Sequence, residues 1–150
     1  MAKSYKDLRE FLDTLEAEGQ LIRIKEEVSP EPDIGAAGRA CANMEEKPAV
    51  LFEKVKGYKY SVVTNVHGSW ANHALMLGMP KNTSVKDQFF ELNRRWDKFP
   101  VPPTIVSREE AKCKENTITE NINLFEVLPL YRINDQDGGF FISKASVVTG

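Results

Sequence analysis

A chain of 150 residues and 17.0 kDa, with 41% hydrophobic and 28% charged residues, is long enough to bury one ordinary core and has the composition of a globular protein. Its 20 basic and 22 acidic residues leave a formal charge of −2 with no strong field, which argues against a nucleic-acid partner, and no apolar run approaches the roughly 18 residues of a membrane span. Met1 to Asp7 lacks the apolar core of a secretory signal, and Cys41 and Cys113 form no CxxC, so a cytoplasmic protein without a disulfide framework is expected.

Tyr5, Leu8, Phe11, Leu12 and Leu15 recur at steps of three and four, which places them on one face of a first helix, and Gly19 stands where a left-handed cap would end it. Leu21 to Lys25 alternates apolar and charged residues, the signature of a half-buried strand. Ser29-Pro30-Glu31-Pro32-Asp33 breaks that strand and suits a helix N-terminus. The second helix carries Ile34, Ala37, Cys41 and Met44 on one face. Its Gly35 and Gly38 cost about 1 kcal/mol each relative to Ala, which points to close backbone packing, as against a sheet. Two β-prone runs follow, Ala49 to Phe52 and Tyr58 to Thr64, either a hairpin or two strands joined by a longer path.

Beyond the loop from Asn65 to Ser69, Ser69 is placed to cap a short helix with Trp70, Ala74 and Leu77 on one face, stopped by Gly78 and Pro80. Another helix starts near Thr83 or Ser84, with Val85, Phe89, Leu92 and Trp96 in an apolar stripe. Pro100, Pro102 and Pro103 then force an extended path, and the polar stretch after it shows no period. The division expected is an α/β domain over residues 1–106, a linker over 107–121 and a further unit over 122–150. That last unit holds the apolar cluster Ile122, Leu124, Phe125, Val127 and Leu128, and a final strand beginning at Phe140.

Chemistry-bearing patterns are few. His67 and His73 lie six apart with no third ligand at a familiar spacing, and Cys41 on an apolar helix face reads as a core thiol. The pairs Glu26-Glu27, Glu45-Glu46 and Glu109-Glu110 sit among basic residues, and adjacent side chains diverge instead of converging on a substrate. No GxGxxG, GxxxxGK[ST] or Gx[SC]xG occurs. Spacing and composition stop at an α/β domain with an unfinished β segment.

Whole segments say more. DLREFLDTLEAEGQLIRIKEEVSPEPDI, VVTNVHGSW, RRWDKFPVPP and, most specifically, INLFEVLPLYRINDQDGGFFISKASVVT resemble the UbiD family of carboxy-lyases. Within it the chain is most similar to the large subunits of bacterial hydroxyarylic acid decarboxylases. The resemblance implies an α/β (α+β) fold, in which a small N-terminal α/β domain leads into the first strands of a split, flavin reductase-like β-barrel that binds prenylated FMN. Family members are several times longer, so this chain is expected to be the N-terminal part of a larger enzyme. A stand-alone binding or assembly module derived from the same family is the alternative.

The implied reaction is the reversible, non-oxidative decarboxylation of 4-hydroxybenzoate, vanillate or a similar phenolic acid. Loss of carbon dioxide leaves an electron pair that side chains cannot hold, which is the task of the modified flavin. Mn(2+) and K(+) accompany it, a flavin prenyltransferase supplies it, and a homo-oligomer, with the hexamer as one form, is implied. The family's catalytic and metal-binding residues are expected beyond Gly150, leaving none in this chain. Lys144 is the single cofactor-binding candidate, because the final strand borders the flavin in the family and alternation puts Ile142, Lys144 and Ser146 on one face.

Overall fold

The computed structural model describes residues 4–98, 102–140 and 142. Helix α1 spans Leu8–Ala17; the Asp7 carboxylate caps it by accepting the Glu10 amide at 3.0 Å, and the Glu10 carboxylate accepts the Lys6 amide at 2.8 Å. Gly19 ends it at φ +72°, the left-handed position that glycine takes without penalty. The helix buries Phe11, Leu12 and Leu15, whereas Leu8 is exposed, so the apolar stripe is narrower than its period suggested. Tyr5 lies ahead of the helix and is anchored by its own hydroxyl, which donates to the Leu75 carbonyl at 2.7 Å.

Strand β1, Leu21–Val28, is longer than its alternating part, and β2, Ala49–Val55, runs parallel to it from Leu21 opposite Ala49 to Val28 opposite Val55, with one irregularity between Ile24 and Glu27. Parallel neighbours need a crossover. It is made by an irregular turn, Pro30–Ile34, and helix α2, Gly35–Ala42. Glu31 in that turn is extended (φ −128°, ψ 133°), the conformation favoured before a proline, and the Glu31-Pro32 peptide is cis. Strand β3, Val62–Thr64, is antiparallel to β2, pairing Val50 with Thr64 and Phe52 with Val62. The two runs are therefore sheet neighbours, but only the end of the Tyr58 to Thr64 stretch is strand; the rest is the connection, which turns at Gly57 (φ +85°).

In the order β1-β2-β3 the central strand is β2, and its alternation feeds two cores. Ala49 packs on one face with Phe11, Leu12, Leu15 and Leu75; Val50 and Phe52 pack on the other with Ile34 and Cys41. Ala49, Val50 and Phe52 are all fully buried, the mark of a strand covered on both sides. Helix α3, Trp70–Met76, joins α1 on the first face. Its buried residues are Asn72, Ala74 and Leu75, while Trp70 is exposed, so the Trp70-Ala74-Leu77 face read from spacing is rotated from the one that packs.

Helix α4, Val85–Trp96, begins where Ser84 caps it, its hydroxyl accepting the Asp87 amide at 3.1 Å. Its stripe of Val85, Phe89, Leu92 and Trp96 is exposed, and its buried side chain is Gln88, whose amide donates to the carbonyls of Trp70 (3.1 Å) and Thr83 (2.9 Å). Residues 102–123 are irregular and largely exposed apart from a short turn at Lys112–Lys114. A single helical turn, α5, Leu124–Val127, is capped by Asn123. Ile122, Leu124 and Phe125 around it are exposed. No helix among the described residues is long and apolar enough to cross a membrane.

Candidate functional site

A cleft of about 500 Å³ opens where the first turns of α2, the end of β3, the loop from Asn65 to Gly68 and the residues Tyr131 and Ile133 meet. Local chemistry shapes each wall. Gly38 lets α2 approach the sheet: a Cβ there would stand 3.2 Å from the Thr64 hydroxyl, so this glycine does serve close helix-to-sheet packing. Gly35 serves another neighbour, since a Cβ on it would lie 2.3 Å from the carbonyl oxygen of Ile133. Asn65 turns the loop in a left-handed conformation (φ 56°), and its side-chain amide donates to the carbonyls of Lys47 (3.1 Å) and Pro48 (2.7 Å), tying the loop to the segment before β2. Ser69 then caps α3 as its position in the sequence implied, accepting the Asn72 amide at 3.1 Å.

The far wall is held by charge. Glu31 accepts the Arg132 backbone N–H at 2.8 Å and the guanidinium through Nε (3.2 Å) and Nη2 (3.0 Å). The Arg132 side chain first, and its backbone N–H second, hold the Glu31 carboxyl below the usual carboxylate range. Tyr131 packs against the core of Val50 and Phe52, and burial pushes its phenol up. Asp137 closes the turn that follows by accepting the amides of Ile133 (2.9 Å) and Asn134 (3.1 Å). Sequence reasoning found none of the Glu31, Gly35, Arg132 and Ile133 contacts, because partners about a hundred residues apart leave no local period.

The histidines do come together. Their rings meet edge-on with centroids 5.4 Å apart, and Trp70 packs on His73 at 5.2 Å. Among the described residues, however, no three His, Cys, Asp or Glu side chains are grouped to hold a metal ion. Cys41 is a core thiol, pushed up by burial, as its helix face implied. Lys144 and, apart from Phe140 and Ile142, the strand expected to carry it lie outside the described residues.

The cleft is lined mainly by apolar surface with a few polar side chains. No carboxylate and no cysteine lines it, Arg39 is its single Lys or Arg side chain, His67 is its imidazole, and the Thr64 hydroxyl is buried without a hydrogen-bond partner. That donor set does not suit a divalent cation, which calls for several oxygen ligands, nor the dianionic phosphate of a flavin mononucleotide. The cleft thus supplies a site for neither group, and no metal-holding cluster occurs elsewhere among the described residues.

Comparison with known proteins places these features in a lineage. Residues 12–92 match the family described as 3-octaprenyl-4-hydroxybenzoate carboxy-lyase N-terminal domain. A phenolic acid decarboxylase of Sedimentibacter hydroxybenzoicus is 79% identical over 150 residues, covering 99% of this chain and 31% of its own length, and one of Bacillus subtilis (strain 168) is 56% identical over 149 residues, again covering 31% of its length. The chain thus spans about a third of the curated relatives it matches. Among solved structures, the Sedimentibacter hydroxybenzoicus vanillic acid decarboxylase ShVdcCD in its closed form superimposes with a TM-score of 0.90 at 78% identity, over 95% of this chain and 30% of that one. The UbiD-class enzyme HmfF from Pelotomaculum thermopropionicum, in complex with prFMN, superimposes with a TM-score of 0.69 at 35% identity, over 84% of this chain and 28% of that one.

Proposed function

The chain belongs to the UbiD carboxy-lyase family, whose N-terminal domain residues 12–92 match, and from that premise we propose that it is the N-terminal part of a non-oxidative decarboxylase of phenolic aromatic acids. The observation that carries the reading is that the likeness to a phenolic acid decarboxylase runs along 99% of the chain instead of being confined to one motif. The substrates proposed are 4-hydroxybenzoate, vanillate or a close relative. The α/β domain is followed, in this reading, by a linker over residues 107–121 and by a split β-barrel that begins within residues 122–150 and has Lys144 on its flavin side.

The cofactor proposed is prenylated FMN with Mn(2+) and K(+), supplied by a flavin prenyltransferase and held by polypeptide beyond the described residues in a cytoplasmic homo-oligomer. When bound, such a flavin provides the electron sink that side chains lack. The part assigned to the described residues is to fold the α/β domain and to hold the segment at residues 130–137 against it.

The test uses the protein purified from its source organism and loaded with prenylated FMN, Mn(2+) and K(+). It is expected to release carbon dioxide from 4-hydroxybenzoate or vanillate, whereas the 150-residue chain under the same conditions releases none. An inactive native protein would sink the decarboxylase reading. Turnover by the 150-residue chain would refute the assignment of the chemistry to further polypeptide. An intact mass several times 17.0 kDa is expected for the native protein; a mass near 17.0 kDa would favour a stand-alone binding or assembly module.

A further inference from the structure

Residues 102–123 are irregular and largely exposed, yet the chain beyond them returns to the α/β domain at two adjacent points. At the first, Glu31 takes both the backbone N–H and the guanidinium of Arg132, a bidentate, charge-assisted arrangement that fixes direction as well as distance. At the second, the bare Cα of Gly35 admits the Ile133 carbonyl, where any Cβ would stand 2.3 Å from that oxygen. Glu31 lies on the turn that leads into α2 and Gly35 is the first residue of α2, four residues on, and the two guests are consecutive. Tyr131, the residue before them, enters the core against Val50 and Phe52.

We infer that Glu31 and Gly35 form an intramolecular docking surface for residues 130–137, a two-point clasp that sets the position of this segment independently of the chain joining it to the domain. Three features support a built surface. The glycine has no other close neighbour that demands it, since the atoms nearest its missing Cβ all belong to Ile133. The carboxylate sits on an extended residue between two prolines, which restrict the backbone that carries it before the guest arrives. The guest is itself preformed, because Asp137 ties the amides of Ile133 and Asn134 into a turn that presents Arg132.

Limited trypsin digestion of the 150-residue chain, read by mass spectrometry, tests it. Cleavage after Arg132 requires the segment to leave its dock; cleavage after Lys112 reports an exposed stretch, and cleavage after Lys54 in β2 reports unfolding of the domain. Glu31→Ala and Gly35→Ala are each expected to speed cleavage after Arg132 roughly tenfold, the scale of a partly exposed charge-assisted contact, with Lys112 and Lys54 unchanged. A four-residue Gly-Ser insertion between Glu115 and Asn116 is expected to leave cleavage after Arg132 as slow as in the parent chain. Unchanged cleavage after Arg132 in either substitution overturns the two-point clasp. Equal acceleration at Lys54 and Arg132 overturns it too, by making the segment part of the domain's cooperative core, and fast cleavage in the insertion variant would return the positioning role to the linker.

Discussion

Replacing Phe52 with Ala removes a side chain that is fully buried at the centre of β2, packed among Ile34, Val50, Cys41 and Val55 with α2 above it. The lost transfer free energy and the cavity left in a sheet that cannot collapse onto itself together cost about 4 kcal/mol. That is a large share of the roughly 5–15 kcal/mol that holds a domain folded. With a urea dependence of about 1.5 kcal/mol per molar, the unfolding midpoint followed by circular dichroism falls by roughly 2.5 M. The informative partner is Phe89→Ala. Phe89 is the same residue type in a helix with a clear apolar period, but it is 63% exposed, so it forfeits only about 1 kcal/mol of burial and regains part of that through the better helix propensity of Ala. Its midpoint is expected to move by less than about 0.5 M. Equal shifts for the two variants, or a larger one for Phe89, would refute the placement of the core around the sheet.

Ser69→Ala removes the oxygen that accepts the Asn72 amide and is expected to cost about 1 kcal/mol, visible as a lower thermal midpoint, with Ser69→Asp restoring most of it. The Arg94 and Arg95 guanidiniums hold the Glu91 carboxyl down at about 2, from an ordinary 4.5. A carboxyl lowered in the folded state adds stability above its unfolded value and loses it as pH falls toward 2. The stability gap between the parent and Glu91→Gln is therefore expected to be full at pH 6 and to close between pH 4.5 and 2; a gap that widens on acidification would contradict the pairing. Under native conditions a thiol reagent is expected to modify exposed Cys113 quickly and buried Cys41 only at the rate of opening, so a mass scan should show one fast adduct and one that appears with denaturant.

Signals confined to a few neighbouring residues were legible in the sequence. Gly19 at the end of α1 and Ser69 before α3 act through hydrogen bonds or dihedral angles two to four residues away and stand where composition and spacing put them, and α4, expected to start near Thr83 or Ser84, is capped by Ser84. The alternation from Leu21 to Lys25 belongs to a strand, and Cys41 on the apolar face of α2 belongs to the core. Family membership was also readable, because whole segments resemble the carboxy-lyases in order.

Periodicity names an apolar face without saying whether anything covers it. Thus α4 carries the cleanest stripe in the chain but packs through Gln88, while α3 turns Asn72 inward and leaves Trp70 in solvent. The cleft is the stronger case. Its walls depend on Gly35 meeting Ile133 and on Glu31 meeting Arg132, contacts that gain their energy only after the intervening chain has been ordered. The sequence by itself determined the order of the main helices and strands and some of their caps, since those signals are settled within a turn or two of backbone, although β1 runs longer and β3 shorter than their patterns. Only the tertiary structure decided which faces are buried and which distant residues form a site, because burial and long-range pairing are properties of the packed molecule and no stretch of sequence carries them alone.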